Sequence, residues 1–105
     1  MSESVTEIES EEQLTEIIES EDAVLLDFQA EWCGPCEMME PILEKLNDEL
    51  DTPIVSIDID EHTNITNKYH VKAVPTFVLI ADGQIEKNLT GIQDEAELRG
   101  LLKKY

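Results

Sequence analysis

Cys33 and Cys36 are the only cysteines in the chain, and they stand in the run Glu31-Trp32-Cys33-Gly34-Pro35-Cys36. The residues before them, Ala23-Val24-Leu25-Leu26-Asp27-Phe28-Gln29, have strand character. After them Cys36, Met39, Leu43, Leu46 and Leu50 recur three and four apart, the spacing of one helix face. The cysteines therefore belong where a strand gives way to a helix. A helix N-terminus carries unpaired N–H groups and a partial positive charge, both of which favour a thiolate over a thiol. More thiolate means more nucleophile at neutral pH. Gly34 is expected to let the chain turn, and Pro35 suits a first helical turn because its missing N–H would be unpaired there anyway. Three residues apart on that turn, the two sulfurs come within reach of a disulfide. The pair reads as a redox centre. Cys33, at the helix tip and expected to be the more exposed, attacks a disulfide, and Cys36 resolves the mixed disulfide. Two inert core thiols, or half of a metal site completed by His62 and His70, are the competing readings. The histidines are eight residues apart, outside the usual three-to-five spacing of a Cys2His2 site. No metal is expected, and both read as surface or helix-end residues.

Asp27 interrupts an apolar strand, which is costly unless the carboxylate has a partner or a task. A central strand covered on both faces would bury it, raise its pKa and let it exchange a proton near neutral pH. The plainer alternative is that Asp27, on one face with Leu25 and Gln29, points to polar surroundings. Trp32 reads as core packing or as an aromatic that shields a reactive turn and grips a partner. Pro75 is out of place inside the strand-like run 74–80. Met38 and Met39 read as helix packing.

The elements that must position these residues follow in order. Val5 to Ile8 is expected to form a short edge strand in an acidic, partly mobile segment 1–10. Ser10 with Gln13 resembles a capping box, and Leu14, Ile17 and Ile18 give the helix after it one apolar face. The helix after the cysteines runs to about Leu50, and Pro41 should kink it. Val55, Ile57 and Ile59 alternate with Ser56, Asp58 and Asp60 over 54–60. A short helix covers 63–70, a buried strand 74–80, and Asp82-Gly83 turns the chain into a weaker strand over 85–89. Asp94 and Glu97 cap a last helix with Leu98, Leu101 and Leu102 inward, and Lys103 and Lys104 meet its negative end. The order βαβαβαββα implies a mixed sheet with helices on both faces.

The 105 residues carry 25 acidic and seven basic side chains, a net charge of −18. No Lys or Arg precedes Lys45. Such a surface repels nucleic acid and anionic lipid, so neither is an expected partner. Adaptation to concentrated salt fits the imbalance, because screening at ~1 M shrinks the Debye length to ~3 Å and quiets self-repulsion. No apolar run approaches the ~20 residues of a membrane helix, and Met1-Ser2-Glu3-Ser4-Val5 lacks the start of a secretory signal. An intracellular, cytoplasmic protein is expected, where a cysteine pair is more often catalytic or metal-binding than structural.

Trp32-Cys33-Gly34-Pro35-Cys36 after a strand ending in Asp27-Phe28, with Val74-Pro75-Thr76, Asp82-Gly83 and Gly91 downstream, resembles the thioredoxin family from about Val5 to the C-terminus. The resemblance implies an α/β thioredoxin fold, a central mixed β-sheet flanked by helices on both faces, with 1–105 as a single domain. It implies a protein-disulfide reductase acting on disulfide-containing proteins, a monomer re-reduced by a thioredoxin reductase. No cofactor is expected: the chain has no nucleotide-binding glycine motif, so a partner must supply the reducing equivalents. The family's pattern places Asp27 beneath Cys36, assisting its deprotonation. It makes Trp32, Gly34, Pro35, Val74, Pro75 and Gly91 the substrate surface. The peptide before Pro75 is then cis and faces the disulfide, Val74 offers its backbone to an extended substrate, and Gly91 leaves room for close approach. Three positions depart from the pattern. Gln29 replaces a frequent aromatic, and Glu37 and Ser56 replace frequent lysines. With Glu31 and Glu40 nearby, Glu37 should oppose the thiolate in dilute buffer and do so less in salt. A disulfide oxidase or isomerase of the same fold, and a redox-inactive scaffold subunit, are the competing functions.

Overall fold

A computed structural model describes residues 5–105. Strand β1 (Thr6–Glu7) leads through Ser10 into helix α1 (Glu11–Ser20). The Ser10 hydroxyl accepts the Gln13 N–H at 3.0 Å, and the Gln13 carboxamide reaches back to the Glu9 N–H at 2.6 Å. This is the expected capping box, displaced by one residue on its return bond. Residues 1–4 of the acidic N-terminal segment lie outside the described residues; the rest of it holds β1 and this cap.

Strand β2 (Ala23–Gln29) runs into helix α2 (Gly34–Glu49), followed by β3 (Ile54–Asp58), α3 (Thr63–Lys68), β4 (Thr76–Ala81), β5 (Gln84–Thr90) and α4 (Glu95–Leu102). The strand order is β1-β3-β2-β4-β5, so β2 is central, parallel to β3 and antiparallel to β4. The two faces of β2 point into two apolar cores. Val24, Leu26 and Phe28 pack with Leu14 of α1 and Ile65 of α3. Leu25 packs with Met39, Leu43 and Leu46 of α2 and Leu98 and Leu102 of α4. Each fully buried aliphatic side chain contributes about 1.5–3 kcal/mol. Sheet and helices thus form the mixed, doubly covered layer that the element order implies.

Where elements end, local chemistry decides. β3 stops at Asp58 rather than running to 60, because the Asp58 carboxylate accepts the N–H groups of Asp60 and Glu61 and turns the chain. β4 begins at Thr76, two residues later than expected, because Pro75 has no N–H to give to the ladder; the Val74–Pro75 peptide is cis. α3 ends at Lys68, and His70 follows with φ +57. Asp82 (φ +53) and Gly83 (φ +79) form the two-residue loop of the β4–β5 hairpin. α2 continues on both sides of Pro41, which lacks the N–H of an ordinary helical residue. Asp94 caps α4 through the Glu97 N–H at 3.1 Å. At the end of the fold away from the cysteine turn, Arg99 grips Glu49 with two nitrogens and Glu95 with one, while Lys45 also meets Glu95. The Arg99 hydrogen bonds hold both glutamate pKa values below their ordinary range.

Candidate active site

The strand-to-helix junction is built as the sequence implies. Cys33 is the N-cap residue of α2, Gly34 is its first residue, and Pro35 sits in its first turn. Cys33 and Cys36 are joined as a disulfide with Cα atoms 5.2 Å apart. The Cys36 N–H donates to Cys33 Sγ at 3.1 Å. The sulfur therefore takes the place that a serine or aspartate oxygen takes at an ordinary N-cap. When the disulfide opens, the Cys33 thiolate faces an oriented N–H and the positive end of a sixteen-residue helix.

One expectation is corrected. Cys33 is not the more exposed of the pair; both cysteines are 4 % exposed. They pack with Ala30, and Ile59 and Val74 lean against them. A second correction concerns Gly34, whose backbone needs no left-handed turn. It adopts no positive φ, and nothing lies within 4 Å of where a Cβ would stand, so its contribution is bare surface beside the disulfide. A third concerns Met38, which is 64 % exposed, whereas Met39 is buried in the core as expected.

The structure brings the distant candidates to the same end of the sheet. Val74 packs on the cysteine cluster, and the peptide that follows it is the cis bond to Pro75. The Gly91 N–H donates to the Pro75 carbonyl at 2.8 Å, tying the start of the last loop to the proline. Gly91 has φ +92, a conformation that favours glycine, and open space where a side chain would be. Trp32 is 69 % exposed, so it is not core packing. Its indole N–H donates to Asp60 Oδ2 at 2.8 Å. Asp60 did not stand out in the sequence; its only mark is its place on the polar side of the 54–60 alternation. The histidines are helix-end residues: His62 precedes α3 and has Nε2 3.0 Å from the Ile8 carbonyl, and His70 follows that helix.

Asp27 is buried, 5 % exposed, on the face of β2 that α2 covers. Burial, with the Glu40 carboxylate adding to it, pushes its pKa up from 3.8 to about 7. No hydrogen bond ties it to a neighbour among the described residues. Its cross-strand neighbour is Ser56, whose neighbour in turn is Glu7. All three line a cleft of about 450 Å³ together with Glu40 and Glu44 of α2. A second cleft of about 380 Å³ shares Glu7, Gln29 and Glu40 and extends past Glu31 and Glu37 towards the cysteine turn. The acidic groups that the sequence places around the thiols thus line two neighbouring clefts that share Glu7, Gln29 and Glu40.

Comparison with known proteins agrees with this geometry. The thioredoxin family model matches residues 4–104. Mitochondrial thioredoxin of Mus musculus is 41 % identical over 90 residues, a match covering 84 % of this chain and 54 % of the relative. The chain thus spans about half the length of that relative. Thioredoxin of Bacillus subtilis is 40 % identical over 88 residues, covering 82 % of this chain and 85 % of that one. A mutant thioredoxin from Halobacterium salinarum superposes with TM-score 0.92 at 38 % identity, covering 100 % of this chain and 94 % of that one. Oxidised mitochondrial thioredoxin 3 of Saccharomyces cerevisiae superposes with TM-score 0.87 at 36 % identity, covering 97 % and 96 %. With the cysteine-capped helix, the cis proline and the central buried aspartate, these matches show that the chain belongs to the thioredoxin family.

Proposed function

We propose that this chain, acting as one monomeric domain, is a protein-disulfide reductase that works by dithiol–disulfide exchange. The observation that carries the proposal is Cys33 Sγ accepting the Cys36 N–H at the tip of α2 while bonded to the Cys36 sulfur. In the reduced protein the Cys33 thiolate attacks one sulfur of a target disulfide, and the other target sulfur leaves as a thiolate that takes up a proton. The Cys36 thiol passes its proton to the Asp27 carboxylate, directly or through water in the cleft. The Cys36 thiolate then attacks Cys33 within the mixed disulfide and releases the second target thiolate. Two electrons have moved to the target, and the chain ends in the disulfide form. A separate thioredoxin reductase returns two electrons.

Because both sulfurs are nearly buried, the target must bring its disulfide to them across Trp32, Gly34, Pro35, Val74, Pro75 and Gly91. The backbone of half-buried Val74 offers a short strand-like pairing to the target. Reduction of insulin by dithiothreitol tests the proposal. The native chain accelerates it, Cys33→Ser abolishes the acceleration, and Cys36→Ser accumulates mixed disulfides. A scaffold subunit shows no turnover, and an oxidase or isomerase forms or reshuffles disulfides faster than it reduces them.

The same reading places the chain inside a cell that holds concentrated salt. Its support is the net charge of −18 and the full-length likeness to a Halobacterium salinarum thioredoxin. Among the described residues no helix is long and apolar enough to cross a membrane. Thermal unfolding followed from dilute buffer to molar KCl checks the salt assignment: Tm should climb throughout, and a flat profile would remove it.

A further inference from the structure

Among the described residues five large apolar side chains stand exposed: Trp32, Met38, Ile85, Ile92 and Tyr105. Trp32 is fastened to Asp60, Ile85 lies at the hairpin end of β5, and Tyr105 ends the chain. Met38 and Ile92 remain, and the exchange reaction derived above uses neither. One exposed apolar residue is ordinary; two that converge beside a reactive turn mark a contact surface.

Helix geometry brings these two together. Met38 is four residues after Gly34 and three after Pro35, so all three share one face of α2. Steps of four, three and four residues carry that face on through Ile42 and Lys45 to Glu49. Lys45 meets Glu95 at 3.1 Å and Glu49 meets Arg99, so this is the flank of α2 that looks towards α4. α4 starts at Glu95, level with Lys45, and Met38 lies seven residues, about 10 Å, nearer the cysteine end. The loop into α4 fills the space beside it. That loop runs from Gly91, bonded to the Pro75 carbonyl, to Asp94 at the α4 N-cap. The Gln93 carboxamide donates to the Gly91 carbonyl at 3.0 Å. Ile92, 53 % exposed, therefore projects from a backbone that is held on both sides.

We infer that Met38 and Ile92 form the two sides of a shallow apolar seat, which receives a large apolar side chain of the target two residues from the cysteine under attack. In an extended target that side chain points the same way as the cysteine sulfur. The reach also agrees: Met38 is five residues beyond Cys33, about 7.5 Å along the helix axis, and two strand residues advance about 6.7 Å. Open space at Gly34 and Gly91 lets the target backbone come close. The unbranched thioether of Met38 adapts to aliphatic and aromatic partners alike. The seat rests on the reductase reading and adds to it a preference among targets.

Two uncharged substrates test it: the disulfide-linked homodimers of acetyl-Leu-Ala-Cys-Ala-Leu-amide and of acetyl-Ser-Ala-Cys-Ala-Ser-amide. Each is mixed with reduced protein, and acid-quenched samples are separated to give the rate of a single turnover. The native chain should favour the leucine peptide about tenfold, Met38→Gln and Ile92→Gln should each cut the ratio to about threefold, and the double variant should bring it to about one. Ile85→Gln removes an equally exposed side chain from the far end of β5 and should leave the ratio as it was. If the native chain reduces both peptides at one rate, or the double variant keeps the preference, the seat is overturned and the reductase reading stands. A native chain that reduces neither peptide overturns the reductase reading, and the seat with it. A native dimer in sedimentation that the double variant loses would assign the patch to a second copy of the chain and overturn the proposal.

Discussion

The Trp32 indole N–H donates to Asp60 Oδ2 at 2.8 Å across a sequence separation of 28 residues. The bond fastens the exposed ring beside the cysteine turn to the loop that follows β3, where Asp58 has already fixed the backbone of Asp60. Trp32 is the only tryptophan, so indole fluorescence reports on this ring alone. Asp60→Ala should lower the fluorescence anisotropy of the native protein and reduce kcat/KM for a protein disulfide by about three- to tenfold, corresponding to ~1 kcal/mol. Tm should barely move, because both partners are exposed. Unchanged anisotropy would show that something other than Asp60 holds the ring.

Asp27 makes stability depend on pH with a definite sign. Its folded pKa, about 7, lies above the 3.8 of an unperturbed aspartate. Between these values the folded form holds a proton that the unfolded form has released, so stability falls as pH rises across the window and is level above it. Asp27→Asn cannot release that proton. Urea unfolding of the oxidised proteins should show the variant gaining on the native protein by up to about 4 kcal/mol from pH 4 to pH 8. A difference that does not change with pH would place the Asp27 pKa back in the ordinary carboxylate range. In turnover the same substitution should slow resolution of the mixed disulfide, read as longer-lived Cys33 adducts.

Gly34 and Gly91 both face open space yet should respond oppositely to alanine. Gly34 begins a helix without positive φ, so Gly34→Ala should stabilise the fold by about 0.4–1 kcal/mol while placing a methyl group beside the disulfide and slowing exchange. Gly91 sits at φ +92, so Gly91→Ala should cost about 1–3 kcal/mol in spite of the room available. Denaturant midpoints and insulin reduction separate the two effects; equal midpoints for the two variants would refute the backbone distinction.

Arg99 links α2 to α4 through Glu49 and Glu95. Arg99→Gln takes the guanidinium from both Glu49 and Glu95, leaving Glu95 with Lys45, on an already acidic surface. Tm should fall in dilute buffer and fall much less in 1 M KCl, where screening supplies part of what the guanidinium did. An equal loss in both would mean that Arg99 acts through packing of its stem rather than its charge.

What could be read in the sequence is what is local. Ser10 and Gln13, Asp94 and Glu97, and Asp82-Gly83 announce their caps and turn within four residues, and the structure places each as expected. The apolar run 23–28 marks a strand covered on both faces, which is why Asp27 stood out. Relations that depend on sheet order were not readable. Nothing in the spacing of Glu7, Ser56 and Asp27 shows that they lie in a row across three strands. The equal burial of Cys33 and Cys36 likewise arises from Val74 and Ile59, which come from elsewhere in the chain. The cis bond at Pro75 entered through family resemblance, because the proline's misfit with a strand says that something differs and not what.

Cys33 closes α2 with the atom that also changes hands in the redox cycle. Each turnover therefore swaps a neutral disulfide sulfur for an anionic one at the same amide. The Cys36 amide proton is consequently a built-in gauge of oxidation state, shifting downfield in NMR and exchanging more slowly with solvent deuterium when the pair is reduced.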